Sequence, residues 1–334
     1  MVTGREAREK EKIKAMSAYD LCIVWNWEYD ADFVSLLDSA CRSHGLSLMQ
    51  ITPENLTQHL RALLDEQISF RAFFDRASDT DLRVMPIVQW ARDKGAYRIN
   101  PYEHATRSWD KATMHQILTR FCLHTPYTII LPPYEQEPVL GPLDLSRLGD
   151  RFTIKPAHGG GGEGVVNRAT SLGEVLSARR DYPSDRYLLQ AHVVSAQLDF
   201  RPAWFRVIYC GGKVHPCWWD SRKRTYSPIT FAEESRYCLG ELHEIVLIIA
   251  RLCKLDLFST EISLTPEGFF VVVDYVNDLL DLRLQSKTPD GVPDDIVHDI
   301  AERLTLLAKS HIPLEQEYRG APIHLYSDPS TEQG

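Results

Sequence analysis

The 334-residue sequence lacks several features that would place it in common functional classes. No apolar run reaches 18 residues, so the sequence contains no candidate membrane-spanning helix. Its first 16 residues are charged rather than apolar, and we therefore expect no secretory signal peptide there. The net charge of -9 disfavours a general nucleic-acid or membrane surface while leaving room for a local basic pocket. We expect a soluble, cytoplasmic protein that binds neither nucleic acid nor membrane.

The sequence also lacks the spaced cysteines and catalytic triads that mark other classes. Its seven cysteines show no C-x-x-C spacing, which predicts reduced, mostly buried thiols rather than a disulfide framework. No Ser-His-Asp or Cys-His arrangement stands out, so nothing suggests a covalent protein nucleophile. With 44% hydrophobic and 25% charged residues, the chain is globular and long enough for two or three domains.

The most distinctive segment is the run from 152 to 166, FTIKPAHGGGGEGVV. A short apolar strand carrying Lys155 is followed by five glycines within six positions, and then by another apolar pair. Glycine has no Cβ, so successive backbone N–H groups in such a loop can close on an anion. The segment therefore predicts a flap over phosphate groups, and a flexible surface hairpin is the alternative.

Two well-known glycine templates fit the letters of this flap but not its surroundings. Gly159, Gly161 and Gly164 match G-x-G-x-x-G, yet strand-like residues follow where a dinucleotide-binding fold requires a helix. The next helix is predicted to begin only at Ser171, which forms a capping box with Glu174. The protein-kinase form lacks its downstream lysine, H-R-D and D-F-G, and there is no Gly-Lys-Ser/Thr ending. The remaining interpretation is strand, glycine loop, strand.

Strand-like and helix-like patterns alternate in the first third of the chain. This alternation is typical of a parallel sheet, so residues 18–103 are predicted to form a small α/β domain. Residues 25–28, Asp75 and Arg76 would follow strands at the carboxyl edge, where such sheets bind ligands, although a contact between domains explains them equally well. The expected strands are 20–25, 46–51, 70–74 and 97–99, and the expected helices are 33–44, 54–64 and 81–94.

The rest of the chain mixes hairpins with single helices. Its expected helices are 108–122, 239–252 and 295–307, and its expected strands are 129–131, 186–193, 200–210, 213–219, 257–264 and 269–275. Residues 132–150 have no clear period and are expected to form a loop. Residues 5–17 alternate in charge like a solvated helix, and the polar residues 327–334 are expected to be a disordered tail.

Taken in order, four motifs resemble those of the ATP-grasp superfamily. They are Asp110-Lys111 opening a helix, Ile154-Lys155-Pro156 before the glycine flap, a strand with Arg206 running into Gly211-Gly212-Lys213-Val214, and Asp274-Tyr275-Val276-Asn277 on a late strand. The resemblance covers nearly the whole chain and implies an α/β and α+β fold whose two α+β lobes clasp ATP. The implied domains are a helical arm (1–17), an α/β domain (18–107), a small lobe with the flap (108–185), a large lobe with the metal site (186–326) and a tail (327–334).

The resemblance places the metal ligands on the last strand pair. Glu261 and Asp274 are 13 residues apart across a Pro-Glu-Gly turn, which brings both carboxylates to one end of adjacent antiparallel strands. A divalent cation would relieve their repulsion, whereas an ordinary pair of solvated acids is the alternative. Members usually have acid-x-Asn, but Asn277 comes one position late here. Either a bulge restores Asn277, or Asp278 replaces it as third ligand.

The resemblance also implies ATP contacts from both lobes. Lys111 and Lys155 would hold the α- and β-phosphates as compact positive charges. A strand over 188–193 would meet the adenine through its backbone, with Gln190 where many members have Glu. The implied nucleotide-binding residues are His158, Gly159, Gly160, Gly161, Gly162 and Gly164 in the flap, Gln190, His192 and Val193 at the adenine, and Gln197 or Asp199 at the ribose.

The resemblance implies three arginines at the reacting group. Arg206, and secondarily Arg201, would reach the transferred phosphoryl group. Arg283 would steady an acyl phosphate or a substrate carboxylate, for which its bidentate geometry is suited. A surface salt bridge with Asp281 or Asp278 is the alternative for Arg283.

These assignments lead to an ATP- and Mg²⁺-dependent ligase, with Mn²⁺ as an alternative metal. It would phosphorylate a small-molecule carboxylate and let an amine displace the phosphate, releasing ADP. A small-molecule kinase on the same scaffold and a nucleotide-binding protein without catalysis are the alternatives. A homodimer is one allowed assembly, and no motif identifies the two substrates.

Overall fold

The computed structural model describes residues 17–312. The predicted arm, apart from its last residue, and the predicted tail therefore lie outside the described residues. Among the helices described, none combines the length and apolarity needed to cross a bilayer. The seven cysteines are free, and five of them are buried, in agreement with the sequence prediction.

The chain begins with a four-stranded parallel sheet in the order β2-β1-β3-β4. Its strands are β1 (Ser17–Trp25), β2 (Leu48–Ile51), β3 (Ile68–Arg76) and β4 (Tyr97–Ile99), and its helices are α1 (Ala31–Ser43), α2 (Leu56–Leu64) and α3 (Met85–Asp93). Helices α2 and α3 pack on one face around Met49, Leu63 and Phe73, while α1 packs on the other. The predicted parallel arrangement is confirmed, because all three strand pairs of this sheet are parallel. The strands and helices also follow one another in the expected order.

Two helices connect this sheet to the rest of the chain, α4 (Tyr102–Trp109) and α5 (Lys111–Arg120). The sequence pattern predicted a single helix over 108–122, and that prediction is wrong. Asp110 lies between the helices in an extended conformation, and its carboxylate accepts hydrogen bonds from the backbone N–H groups of Ala112 and Thr113. This N-cap starts α5 anew and leaves Lys111 in its first turn.

The second sheet is antiparallel, in the order β5-β8-β6-β7. It consists of β5 (Thr128–Leu131), β6 (Phe152–Pro156), β7 (Val166–Ala169) and β8 (Tyr187–Ala191), covered by α6 (Leu172–Asp181). The predicted capping box of Ser171 and Glu174 is present at the start of α6. The domain boundary that we expected after residue 185 would cut β8 from its sheet, so sheet continuity favours a boundary after Ala191.

The third sheet is also antiparallel, in the order β13-β12-β11-β14-β15. Its strands are β11 (Trp204–Cys210), β12 (Lys213–Asp220), β13 (Thr225–Pro228), β14 (Leu257–Leu264) and β15 (Phe270–Asn277). A small hairpin of β9 (Gln197–Leu198) and β10 (Arg201–Pro202) precedes it, and the helices that follow β13 and β15 are α7 (Phe231–Arg236), α8 (Glu241–Cys253) and α9 (Asp294–His311). Helix α8 packs on this sheet around a core that includes Phe205, Val246 and Phe258.

The last helix of the described chain packs against its first helix. Helix α9 shares one hydrophobic core with α1 and with residues of the first and third sheets. Polar contacts support this packing, since the ring nitrogen Nε2 of His44 lies 2.7 Å from Glu302 and Lys309 donates to the His44 carbonyl at 3.0 Å. The first sheet is thereby fixed beside the third.

Candidate active site

The second and third sheets enclose a cavity of about 560 Å³. Strands β6 and β8 and the glycine flap line one side, and β11, β14 and β15 line the other. The cavity brings together many of the residues singled out in the sequence: Lys111, Lys155, Gly159, Gly160, Gly161, Gly162, Gln190, His192, Val193, Glu261, Asp274 and Asn277. We refer to it as the central cavity.

Two lysines give the flap side of the central cavity its positive charge. Lys155 points from β6 and is only 8% exposed, and its Nζ lies 3.3 Å from the Val273 carbonyl. Burial lowers the pKa of Lys155 and nearby Lys111 lowers it further, whereas Asp274 opposes the shift. Lys111 donates to the carbonyl of Gly159 and thus touches the flap directly. A phosphate chain between these lysines would relieve the cost of burying them together.

Two acids face the lysines from the third sheet. Glu261 and Asp274 are register partners on β14 and β15. Burial raises the pKa of Glu261, and repulsion from Asp274 adds to the rise although Arg206 opposes it. Burial would also raise the pKa of Asp274, but Lys155 and Lys111 hold it below its usual value. The pair therefore combines one carboxylate whose pKa is lowered by the lysines with one whose pKa is raised by burial.

A β-bulge settles where Asn277 lies. Ser259 pairs with Asn277 and Glu261 pairs with Asp274, so β15 has one more residue than β14 between these pairs. The extra residue returns Asn277 to the side of Asp274, and its Nδ2 donates to the Asp274 carboxylate at 2.9 Å. Of the two alternatives for a third ligand, the structure thus favours Asn277.

Asp278 lies elsewhere. Its carboxylate accepts hydrogen bonds from Asn100 at 2.6 Å and from Trp109 at 3.1 Å, and burial raises its pKa. It lines a neighbouring cavity and not the central one. The prediction of Asp278 as a metal ligand therefore gains no support from its placement.

The donor set suits a metal that shares its coordination with a substrate. Within residues 17–312, no three His, Cys, Asp or Glu side chains cluster into a complete metal site. Mg²⁺ is commonly held by one or two carboxylates together with phosphate oxygens and water. Glu261 and Asp274, with the amide oxygen of Asn277, fit such a partial shell.

Contacts at both ends hold the glycine flap over the central cavity. Arg224 of the turn after β12 donates to the Gly161 carbonyl at 3.2 Å, and Tyr182 donates to the Glu163 carboxylate at 2.9 Å. Gly164 has φ of +67°, and a Cβ there would lie 2.6 Å from the Tyr182 ring. A side chain at position 164 would therefore require the Tyr182 ring to move, in addition to the strain of a positive φ.

The chain beyond β8 offers free backbone groups at the cavity. Residues 192–195 form no intramolecular hydrogen bond within the described chain. His192 and Val193 line the central cavity, so their N–H and C=O groups are available to a planar ligand. The Gln190 amide is not available in the same way, because its Nε2 donates to Thr128 at 3.1 Å and to Tyr275 at 2.6 Å.

Comparison with known proteins identifies this arrangement at the level of the fold. No family model and no curated protein sequence matches the chain. Among solved structures, D-alanine–D-alanine ligase from Bacillus anthracis complexed with ATP aligns with a TM-score of 0.58 and 13% identity, over 87% of this chain and 98% of that one. D-cycloserine synthetase DcsG aligns with a TM-score of 0.59 and 16% identity, over 87% and 99%. ATP-grasp ligase PsnB, complexed with minimal precursor, Mg and ADP, aligns with a TM-score of 0.55 and 12% identity, over 87% and 98%. The chain has the ATP-grasp fold.

The predicted ATP-grasp fold is thus confirmed, but several predicted site residues lie outside the central cavity. Gln197 and Arg201 line a neighbouring cavity of about 730 Å³, which His192 and Val193 also line. His158 is paired with Asp185 at 2.9 Å and lines the same cavity as Asp278. Asp199 binds Arg236 and Tyr237 at the surface. Gly164 packs against Tyr182 and Pro156 and does not line the central cavity.

The two predicted arginines differ in placement. Arg206 does not itself line the central cavity, but its Nη1 lies 3.3 Å from Glu261, which does, and its guanidinium lies 4.9 Å from the centre of the Trp219 ring. Arg283 is held at 2.7 Å by Asp281 and at 2.9 Å by Asp290, and it does not line the central cavity. The salt-bridge alternative therefore describes Arg283 better than a role at the reacting group.

Sequence reasoning missed two residues of this ATP-grasp site. Trp204 lines the central cavity and donates to Glu261 at 3.1 Å, and Arg222 lines the cavity from the turn after β12. Trp204 lies two positions before Arg206, so strand alternation could have placed both on one face. No pattern marked Arg222 beyond the cluster of basic residues at 222–224.

Proposed function

We propose that this protein is an ATP- and Mg²⁺-dependent ligase that joins a carboxylate to an amine and forms ADP. The observation that carries the proposal is the central cavity, in which buried Lys155 and flap-bound Lys111 face Glu261 and Asp274 across one space. Opposite charges at this spacing suit a triphosphate that is bridged by a metal, because the lysines neutralise phosphate oxygens while the acids hold the cation.

The similar ATP-grasp structures support the reaction class. PsnB is an ATP-grasp ligase complexed with Mg and ADP, and the Bacillus anthracis structure is a D-alanine–D-alanine ligase complexed with ATP. Activation of a carboxylate by phosphorylation followed by attack of an amine needs no covalent protein intermediate.

The proposed roles follow the geometry. Lys155 and Lys111 bind the α- and β-phosphates, the glycine backbone covers them, and residues 192–193 receive the adenine. Glu261, Asp274 and Asn277 would hold Mg²⁺, which supplies charge neutralisation at the phosphates when it is bound. Mn²⁺, with the same preference for oxygen ligands, is an alternative.

Arg206 is proposed to act on the transferred phosphoryl group through its position beside Glu261. Its guanidinium is shared between Ser259 at 3.2 Å and Glu261 at 3.3 Å, which leaves other N–H groups for a phosphate oxygen. Stacking on Trp219 fixes its plane. As charge spreads over the phosphoryl oxygens in the transition state, a fixed arginine stabilises it more than it stabilises the bound substrate.

The proposal is tested by trapping the activated carboxylate. The purified full-length chain is incubated with ATP, Mg²⁺, hydroxylamine and pools of amino acids and other small carboxylic acids. We expect ADP release together with a hydroxamate in at least one pool, and neither product without Mg²⁺. If ATP binds but no pool yields ADP, the chain is a nucleotide-binding protein without catalysis. A stable phosphorylated alcohol in place of a hydroxamate would identify a kinase.

A further inference from the structure

A smaller cavity of about 360 Å³ adjoins the central cavity, and we call it the intermediate cavity. The residues that line both cavities are Lys111, Gly159, Gly160 and Asn277. A molecule in the intermediate cavity therefore lies beside the end of the central cavity where the proposed function puts the phosphates and the metal. On another side, Asp79 and Leu279 also line a cavity of about 410 Å³ at the carboxyl edge of the parallel sheet, which leaves room for the rest of such a molecule.

His158 lines the intermediate cavity from the start of the glycine flap. Its ring nitrogen Nδ1 lies 2.9 Å from one oxygen of the Asp185 carboxylate, and its backbone N–H donates to the other oxygen at 2.8 Å. The backbone N–H of Arg186 also donates to Asp185, at 2.8 Å. Two contacts with one anchored carboxylate thus hold the imidazole ring in position.

The pairing with Asp185 determines which ring nitrogen of His158 is free. An ionised carboxylate can only accept hydrogen bonds, so in the neutral ring the proton is on Nδ1 and Nε2 has the free lone pair. Nε2 forms no hydrogen bond within residues 17–312, and the side chain is 58% exposed. His158 is therefore an oriented base whose accepting nitrogen is accessible.

The ionisable side chains that line the intermediate cavity are Asp79, Lys111, His158 and Asp278. Lys111 is a cation that donates to the Gly159 carbonyl, and both carboxylate oxygens of Asp278 already accept hydrogen bonds from neighbouring side chains. A carboxylate such as Asp79 is a weaker base than an imidazole, with an ordinary pKa of about 3.9 against about 6.5. Among these groups, His158 is the best suited to take a proton near neutral pH.

The charges around His158 strengthen it as a base. Its hydrogen bond with Asp185 raises the pKa of His158 above the usual value, and Asp110 adds to the rise, whereas burial and Lys111 oppose it. Burial alone would raise the pKa of Asp185, but its hydrogen bonds with His158 lower it, so this carboxylate is ionised at neutral pH. The dyad is therefore an acceptor for a proton and not an inert pair.

We propose that His158 is the general base for the amine substrate, which reaches the acyl phosphate through the intermediate cavity, and that Asp185 is the positioning residue for the imidazole ring. This inference rests on the proposed ligase function and names the group that takes the proton of its nucleophile. A primary amine is an ammonium ion at neutral pH and has no lone pair with which to attack. A base beside its path supplies the reactive form.

The proton and the bonds are accounted for as follows. The ammonium group transfers one proton to Nε2 of His158, and the free amine attacks the carbonyl carbon of the acyl phosphate. The C–N bond forms, and the bond between that carbon and the phosphate oxygen breaks with its electron pair on the phosphate. A second proton of the nitrogen leaves with the phosphate as hydrogen phosphate, and His158 returns its proton to water. The step needs neither an oxidant nor a reductant.

Two nucleophiles of equal size test the proposal, on the full-length chain with ATP, Mg²⁺ and the carboxylic acid pool that yields a hydroxamate. Near neutral pH hydroxylamine is uncharged, whereas methylamine is an ammonium ion and needs a base. We expect His158→Asn, whose amide can still donate to Asp185, to lower the rate of N-methylamide formation by about a hundredfold and to change hydroxamate formation by less than about threefold. His298→Asn, at an exposed position of α9, should change neither rate.

The pH dependence separates a base from a residue that only supports the flap. Between about pH 7 and about pH 9 the fraction of methylamine present as free amine grows, so the deficit of His158→Asn with methylamine should narrow by at least about tenfold. A variant that merely loosens the flap would slow both nucleophiles and keep a constant deficit.

Three results would overturn the inference about His158. They are equal slowing of both products in His158→Asn, unchanged rates of both products, and hydroxamate without N-methylamide from the unmodified chain. In each of these cases hydroxamate still forms, so the proposed ligase function stands. Absence of hydroxamate from every pool would instead remove the proposed function, and the inference with it.

Discussion

Lys155 is the residue on which nucleotide binding depends most directly. It is buried against Val273 and Tyr275, and this burial lowers its pKa. We expect Lys155→Met to weaken ATP binding by roughly tenfold to a hundredfold, as for the loss of a hydrogen bond to a charged group of about 1.5–3 kcal/mol. Calorimetry with ATP measures this, and Lys213→Met, at an exposed pair with Asp299, is the matched control. Equal affinities in both variants would contradict the assignment.

The metal site can be tested by making the same substitution, aspartate to asparagine, at Asp274 and at Asp278. Asp274→Asn removes a carboxylate that lies beside Glu261 in the central cavity, so Mg²⁺-dependent ATP turnover should fall by at least about a hundredfold. Asp278→Asn keeps one oxygen that can accept from Asn100 or from Trp109, and it should preserve the dependence on Mg²⁺ because Asp278 lies outside the central cavity. ADP release is measured against Mg²⁺ concentration, with circular dichroism to confirm folding. The reverse order of effects would return Asp278 to the metal site.

At this scale the sequence predicted residue types better than residue positions. Lys155 and Asp274 lie on strands with clear patterns, and the structure puts both at the central cavity. The position of Asn277 could not be decided, because a bulge of one residue depends on pairing with β14 and leaves no local signal. Arg283 was misleading for a similar reason, since its partner Asp290 comes close only through the loop after β15.

Among the structural elements, the glycine flap depends on one position where a side chain cannot fit. A Cβ at Gly164 would lie 2.6 Å from Tyr182 and 3.1 Å from Pro156, and φ there is positive. We expect Gly164→Ala to displace the flap and raise the KM for ATP by about tenfold or more, with little change in the unfolding midpoint. Gly160→Ala is the matched control, because its Cβ would meet nothing within 4 Å and its φ is ordinary.

Steady-state kinetics and thermal unfolding on the two flap variants measure the difference. A KM that rises equally in both variants would show that the flap needs mobility along its length, and not the close approach at Gly164. A KM that changes in neither variant would mean that the flap does not cover the nucleotide.

Elements with a strong period were predicted within a few residues, whereas short or interrupted ones were not. Strand β14 matches its predicted bounds, and α8 was expected over 239–252. The opening of a helix at Asp110-Lys111 was anticipated, but the separate helix α4 (Tyr102–Trp109) before it was missed. Strand β13 and helix α7 were missed because each is short: β13 buries only Tyr226 and α7 buries no residue, so neither shows a periodic apolar face.

At the scale of the whole molecule, the cavities depend on contacts between units that are distant in sequence. Helix α9 closes the chain onto α1, and Arg76 of the first sheet donates to the Leu280 carbonyl. Asn100 joins the same sheet to Leu257 at 2.6 Å. None of these contacts leaves a mark in the local sequence, because packing between units is selected by shape and burial and not by spacing. The sequence therefore predicted a nucleotide cleft between the flap and the acidic strands, but not the cavities beside it.

A chain of hydrogen bonds close to Lys155 links the second sheet to the third. It contains a histidine, so we expect it to respond to pH. His115 of α5 lies 2.7 Å from the Tyr275 hydroxyl, which also accepts from Gln190 of β8. Burial, with help from Lys155, lowers the pKa of His115 from 6.5 to about 4. The folded chain thus keeps His115 neutral, and the Tyr275 hydroxyl donates to its ring nitrogen.

The sign of the pH dependence follows from that lowered pKa. As the pH falls below 6.5, His115 becomes protonated in the unfolded chain, whereas in the folded chain it becomes protonated only near pH 4. The His115 contribution to stability is therefore present above pH 6.5 and is lost between pH 6.5 and pH 4. His115→Gln keeps a hydrogen-bond acceptor without titrating. We expect the difference in unfolding free energy between variant and unmodified chain to shift in favour of the variant across this interval, as measured by urea unfolding at a series of pH values. His298→Gln, at an exposed position of α9, should show no such shift. If the difference in unfolding free energy stays constant from pH 7 to pH 4, His115 has the same pKa in the folded and unfolded states, and the prediction fails.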